Sequence, residues 1–476
     1  MEKGRILDEF VVVTKMHRRP LAHYGAMESA RHERLASEEA HRERKAEPAS
    51  AGSIYDEATN RRSGTFLPET IWILLLIVAP HRSMRLRHGV LALVLCAILL
   101  GACAGEPRTP FTEADQMAAV PIGTRSIRFW ADAPVSVFHD AARRAVAQKE
   151  RPFVYLALSG GGGSGAYGAG VLNGWAESGT RPEFSVVSGV STGALIAPFA
   201  FLGPTYDETL RQMYTSGEAE NLIQHPDPLG AIFGAGLFGP GRLRRLVERY
   251  IDDDLLNAIA REDQKGRRLL VVTTDLDAQR AVIWDMGAIA ARRGPKAFKL
   301  FREVLAASAS VPVVFAPQLI DIEANDRSFQ EMHVDGTVSA PIFTLPDALL
   351  FGGKAIISHG ARPDLYVIVN ARIDAGFEVV PNQAEAIAAR TFTTMNRVGT
   401  QAVLAQTYNV ASREGLSFHL SYVGTDVPDS GGTGFETDAM RRLYDYGYKK
   451  ARSGSFWETK LPQIEVAKEA AKTAER

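Results

Sequence analysis

Ser191 stands between Gly189 and Gly193 in the stretch VVSGVSTGALIAPFAFLG, residues 186–203. A serine hydroxyl works as a nucleophile when it is held on a tight turn beside a base, with donors ready for the oxyanion its attack creates. The Gly-x-Ser-x-Gly pattern alone is weak, because glycine supplies 42 of the 476 residues. Context sharpens it. A nucleophile elbow needs a strand directly before the serine, a helix directly after it, and small residues two positions to either side where the backbones close up. The apolar run FSVV, 184–187, precedes the serine, and TGALIAPFAFLG follows with helical length. Ser191 would then sit at a helix N-terminus, whose dipole favours a developing anion.

Two further stretches bear on the same chemistry. In SGGGGSGAYGAG, 159–170, no Lys-Ser/Thr follows Gly165, so the loop is not a Walker phosphate cradle. The spacing of Gly163, Gly165 and Gly168 fits a dinucleotide fingerprint, but the next strand runs into Ser188 and Gly189, with no carboxylate for a ribose. Consecutive glycines between a strand and a helix can also turn several N–H groups toward one point, as an oxyanion hole requires. A tight glycine-rich turn without a chemical role is the alternative. The third stretch is HVDGTVSAP, 333–341. Asp335 ends a strand before a turn glycine, Gly336, which predicts a carboxylate at the sheet edge that carries Ser191. Simple capping of the turn by Asp335 is the competing reading.

The elements around these residues alternate. Short, nearly continuous apolar runs at 152–158, 184–187, 268–277, 281–286, 331–336, 365–373 and 417–424 read as strands, the continuous ones as strands buried on both faces. Helical stretches are expected after Gly165, at 193–202, 296–308, about 382–412 and 435–452. Strand, loop and helix in alternation argue for an α/β fold with a parallel sheet. Residues 225–242, HPDPLGAIFGAGLFGPGR, are apolar and rich in Gly and Pro without periodicity; they read as an ordinary loop or as a lip at the mouth of a cleft.

Apolar residues make up 46% and charged residues 23%, a globular composition. With 54 basic and 55 acidic residues the net charge is −1, so no overall field attracts nucleic acid, and no nucleic-acid-binding module is visible. The N-terminus differs. Residues 1–83 are rich in Arg, His and Glu, and their one apolar run, IWILLLIVA, is too short to span a bilayer. From Met84 the chain reads MRLRHGVLALVLCAILLGAC: a basic n-region, an apolar h-region, then small residues. Leu100-Gly101-Ala102-Cys103 looks like the lipobox of a bacterial lipoprotein. The competing reading is an ordinary signal peptide, or an uncleaved anchor, with an incidental cysteine. On the lipobox reading 84–102 is a signal segment, Cys103 is lipidated, and 1–83 is a spurious start or an extension. Ala104, rather than Asp, after the cysteine points to the outer membrane, facing the periplasm. The only other cysteine, Cys96, would leave with the signal, so no disulfide or thiolate metal site remains. Residues 103–150, with prolines at 107, 110, 121 and 134, read as a tether.

Taken together, the three stretches resemble the patatin-like phospholipases. The resemblance rests on Gly160-Gly161-Gly162-Gly163-Ser164-Gly165, then Gly189 to Gly193 about Ser191, then Asp335-Gly336-Thr337, with the flanks LSGGG, AYGAGVL and ASASVPVVFAP. It covers about residues 152–345. It implies a three-layer α/β/α hydrolase with a mainly parallel central sheet. The catalytic domain would be 151–348, and 349–476 an α/β part that completes the fold. It further implies Ser191 as nucleophile, Asp335 as its base in a dyad, and the N–H groups of Gly161, Gly162 and Gly163 as oxyanion donors. The substrate would be a membrane phospholipid or another acyl-ester lipid, without metal or organic cofactor; no metal-ligand cluster stands out in the sequence. Two positions depart from the family pattern. Ser164 replaces an Arg or Lys, which removes a positive charge beside the oxyanion. Thr337 replaces a small residue and could shift Asp335. Two alternatives follow. A catalytically weak or silent lipid-binding lipoprotein would keep the fold, and a Ser-Asp-His triad would draw on His359 or His419.

Overall fold

Apolar runs with no polar alternation demand cover on both faces, and the fold supplies it. A computed structural model describes residues 108–121, 127–134, 136–138, 153–223, 236–324, 327–350, 362–427 and 435–462. These residues belong to one compact unit, His88–Arg476. The proposed extension, the signal segment, Cys103, His359 and residues 225–235 of the apolar stretch lie outside the described residues. Among those described, no helix is long and apolar enough to cross a membrane.

The strands are β1 (Arg128–Trp130), β2 (Val154–Leu158), β3 (Val186–Val190), β4 (Gly236–Phe238), β5 (Arg268–Asp275), β6 (Arg280–Asp285), β7 (Val313–Phe315), β8 (Gln318–Ala324), β9 (Arg327–Asp335), β10 (Asp364–Val369) and β11 (Ser417–Tyr422). Nine of them form one sheet in the order β1-β6-β5-β3-β2-β10-β11, with β9 joined to β5 and β8 to β9. From β5 through β11 the five central strands are parallel, whereas β1, β6, β8 and β9 join in antiparallel pairs. Short β4 and β7 pair separately. The helices that matter most to the site are α1 (Gly165–Glu177), α2 (Thr192–Leu202), α3 (Pro295–Ser308), α4 (Ala384–Glu414) and α5 (Thr437–Arg452).

Side chains alternate between two faces along β2. Val154, Leu156 and Leu158 join the larger core, which holds residues of α1, α2, α3 and α5. Tyr155 and Ala157 join a smaller core on the other face, capped by Leu404 and Ala411 of α4. That is the expected three-layer arrangement. Tight packing shapes the first face: a Cβ on Gly170 or Gly174 of α1 would come within 2.1–2.2 Å of the Tyr444 or Tyr448 carbonyl of α5.

Three features were not legible beforehand. The strand expected at 331–336 is longer and antiparallel. The strand expected at 365–373 ends at Val369, and Asn370 to Ile373 leave the sheet. Part of the stretch read as a tether is built into the fold. Phe111 stacks on Phe329 with centroids 4.5 Å apart, Arg108 forks onto Asp277, and β1 extends the sheet beyond β6. The aromatic residues at 111, 129 and 130, scattered among the prolines, are what give that segment something to bury.

Candidate active site

The placement of Ser191 against Asp335 follows from strand register. β3 ends with Val190 opposite Val272 of β5, and Ser191 turns away. The next residue of β5, Thr273, is opposite Asp335, the last residue of β9. Two strands of opposite direction thus meet end to end along β5, and their terminal residues face each other. Ser191 Oγ donates to Asp335 Oδ2 at 2.6 Å.

The turn itself is strained. Ser191 has φ 55° and ψ −123°, a region a non-glycine residue enters only when its surroundings hold it there. The N–H of Ser191 donates to Ser308 Oγ at 3.0 Å, and Ser308 Oγ donates to the Val272 carbonyl at 2.6 Å. Gly189 and Gly193 are required by close approach. A Cβ on Gly189 would lie 2.3 Å from the Gly193 carbonyl oxygen, and one on Gly193 2.5 Å from that of Leu158. Ser191 is the residue that caps α2, yet its hydroxyl makes no capping bond and serves Asp335 instead.

Asp335 is fully buried. Its Oδ1 accepts from Thr337 N–H at 2.8 Å and Thr337 Oγ1 at 2.7 Å, which leaves Oδ2 to Ser191. Burial pushes the carboxyl up to about 6, against the opposing pull of the hydrogen bonds from Ser191 and Thr337. The departure at 337 therefore anchors the carboxylate through its hydroxyl. Gly336 opens the short 3-10 turn that brings Thr337 round.

The glycine loop crosses above this pair. A Cβ on Gly160 would lie 3.2 Å from Ser191 Cβ and 2.2 Å from Thr337 Cγ2. Gly162 has φ 54°, and the 3-10 turn it begins has Ser164 N–H donating to the Gly161 carbonyl as an early internal bond. The N–H groups of Gly161, Gly162 and Gly163 come before that donor, in the part of a helical start that lacks internal partners. Asn370, the residue after β10, fastens the loop: its N–H donates to Ser159 Oγ at 2.8 Å and its Nδ2 to the Ser159 carbonyl at 2.7 Å. Gly165 opens α1 against Thr192 Oγ1 and the Tyr214 hydroxyl. Ser164 brings no charge to this turn.

Among the described residues no histidine bonds to Ser191 or Asp335. His419 pairs with Asp364 Oδ1 at 3.1 Å and stacks on Tyr366 at 4.3 Å. Asp364 opens β10, so His419 sits toward the amino edge of the parallel strands, opposite the elbow. His333 is buried, 3.0 Å from Thr273 Oγ1 and 3.3 Å from Glu331 Oε2.

The fold also gathers a group that the sequence did not announce. Asp275, Glu331 and His333 place ligand-type atoms within 4.8 Å of one another, all buried. Their oxygens are already engaged. Arg128 forks onto Glu331, and Asp275 accepts from Gln116 Nε2 at 2.7 Å and from the N–H groups of Asp277 and Ala278. Burial works to raise the Glu331 carboxyl, but the bond from His333 and the Arg128 charge hold it down at about 2. The group binds the 108–121 segment and β1 to the sheet. A cleft of about 460 Å³ between residues 108–117, Trp130 and the 277–280 turn has none of the site residues in its walls.

Ser308, Thr337 and Asn370 are the supporting residues that sequence reasoning missed or misjudged. Ser308 lay within ASASVPVVFAP, already singled out as family-like. Asn370 offered only one signal, a polar residue within the apolar run at 365–373.

The family whose model matches this chain is described as patatin-like phospholipase, over residues 156–346. Among solved structures, VipD from Legionella pneumophila is similar at 14% identity and a TM-score of 0.28. That alignment covers 63% of this chain and 66% of VipD, just under two thirds of its length. No protein of curated function matches the sequence.

Proposed function

The chain carries a patatin-like phospholipase domain at residues 156–346, and from that premise we propose that it is a serine acyl hydrolase cleaving ester bonds of membrane lipids through Ser191 and Asp335. The single observation that carries this reading is the 2.6 Å bond from Ser191 Oγ to Asp335 Oδ2, with Ser191 held at positive φ. Ser191 Oγ attacks the acyl carbonyl while its proton passes to Asp335 Oδ2. The carbonyl oxygen, now an oxyanion, takes hydrogen bonds from the N–H groups of Gly161, Gly162 and Gly163. The C–O bond to the leaving alcohol breaks, that oxygen takes the proton from Asp335, and the acyl group stays on Ser191. Water then repeats the sequence: Asp335 accepts its proton, the acyl ester opens, and Ser191 recovers its hydrogen.

A lone carboxylate suffices here because burial has lifted its pKa to about 6, near the pH at which the transfer must run. The lipid-anchor reading of Cys103 places the enzyme at a bacterial envelope membrane, where such esters abound. One observation favours a second reading, a silent lipid-binding protein of the same fold: Ser164 leaves the oxyanion loop without a cation. The experiment is hydrolysis of a p-nitrophenyl acyl ester by wild type and Ser191→Ala. Activity in the first, and none in the second at unchanged circular dichroism, supports the hydrolase. Equal activity in both rejects it.

A further inference from the structure

α4 is longer than the task of returning the chain requires. It leads from the carboxyl end of β10 to the amino end of β11, and those strands are parallel, so it runs back along the sheet. Six residues of strand span about 20 Å. The helix has 31 residues, about 46 Å at 1.5 Å per residue. Its buried positions begin only at Thr400 and continue through Leu404, Thr407, Val410 and Ala411. Gly399 marks the level of the catalytic edge. A Cβ there would lie 3.2 Å from Pro341 Cγ, and the Pro341 carbonyl accepts the Gly160 N–H at 3.1 Å. Residues 384–398 therefore project beyond the edge that carries Ser191.

The projecting half mixes polar and apolar residues, and its large apolar side chains face solvent. Ile387, Met395 and Val398 are 47%, 65% and 52% exposed. At 100° per residue they fall within about 80° of arc, one stripe. Arg390 donates to Glu378 Oε2 at 3.0 Å and to the Gly376 carbonyl, tying to the helix a loop that presents Phe377 and Val379. Those two are 96% and 80% exposed. Five of the ten large apolar side chains exposed among the described residues thus lie between 377 and 398, and a sixth, Val338, is three residues past Asp335. A monomer in water does not concentrate such residues at one edge without a partner.

We propose that the stripe Ile387–Met395–Val398, with the Phe377–Val379 loop, docks on a lipid surface and seats the catalytic edge against it. This rests on the acyl-hydrolase reading above. A second copy on this stripe would cover the edge through which an ester must reach Ser191, whereas a lipid surface brings the ester to it. Bulky apolar groups beside the site enter the interface and hold the glycine loop at headgroup level.

The test uses the mature chain from residue 103 carrying Cys103→Ser, so that neither the apolar signal segment nor an acyl anchor contributes, and vesicles of phosphatidylethanolamine and phosphatidylglycerol. Binding is read by co-sedimentation in a Ser191→Ala background, which prevents hydrolysis. Adding Phe377→Ser, Ile387→Ser and Met395→Ser should weaken vesicle binding by about tenfold or more. With Ser191 intact, the triple variant should lose vesicle hydrolysis to a similar extent, while kcat/KM on a soluble short-chain ester stays within about twofold. Unchanged co-sedimentation overturns the proposal. So does a wild-type dimer in sedimentation that the triple variant dissolves. Stripe-dependent vesicle binding by a protein that hydrolyses no ester would uphold the docking element and reject the hydrolase reading.

Discussion

Replacing Asp335 by Asn should destroy activity and, above neutral pH, stabilise the fold. Burial raises the carboxyl from 3.8 to about 6, so the folded chain binds this proton more tightly than the unfolded chain does. Such a group contributes stability that is fully present below the unfolded value and is lost as pH rises through about 6. Above that range the fold holds a buried carboxylate at a cost of about 3 kcal/mol, from about two pH units at about 1.4 kcal/mol each. The amide introduced by Asp335→Asn carries no such charge. Its oxygen still accepts from Thr337 and its nitrogen still faces Ser191 Oγ, so the local geometry is retained. The stability gap between variant and wild type should be near zero below about pH 4 and grow to as much as about 3 kcal/mol in favour of the variant at about pH 8. Urea midpoints of both proteins across that range, at fixed ionic strength, measure it. Activity in the same samples should fall by several orders of magnitude, because an amide cannot accept the serine proton. A gap that stays flat with pH, or one that favours wild type more as pH rises, would refute the assignment of a desolvated base.

Three further outcomes are expected. Thr337→Val removes one donor to the ionised form of Asp335, a bond of about 1.5–3 kcal/mol, so the acid limb of kcat/KM should move alkaline by about one pH unit or more; an unmoved limb contradicts it. His419→Ala should cost less than about tenfold in kcat, because its partners lie at the opposite sheet edge; a collapse with folding intact would restore the triad. Cys103→Ser should release the protein from the membrane fraction and abolish incorporation of a labelled fatty acid, and a purified mature N-terminus containing any of residues 1–83 would defeat the anchor reading.

The elbow was legible in the sequence because its constraints are local. Gly189, Ser191 and Gly193 sit within five residues, and the strand before and helix after are written in the same apolar run. Register supplied what sequence could not. Asp335 was expected at the sheet edge of Ser191, and it arrives there by an antiparallel strand that abuts β3 along β5. Ser308 holds the Ser191 N–H across 117 residues of sequence, and Asn370 clamps Ser159 from 211 residues away. No local pattern encodes such pairings. The Asp275–Glu331–His333 group is likewise assembled from two strands and engaged by Arg128 and Gln116 of a segment read as a tether. Thr337 was judged by size alone, and its hydroxyl turned out to matter more than its bulk.

The central claim is that Ser191 is an activated nucleophile. A fluorophosphonate, which phosphonylates only serines activated in this way, tests it most directly. Wild-type protein should gain one adduct, located by peptide mass spectrometry on Ser191, with labelling absent from Ser191→Ala and strongly slowed in Asp335→Asn. Folded wild-type protein that takes no label, or takes it at another serine, would contradict the account.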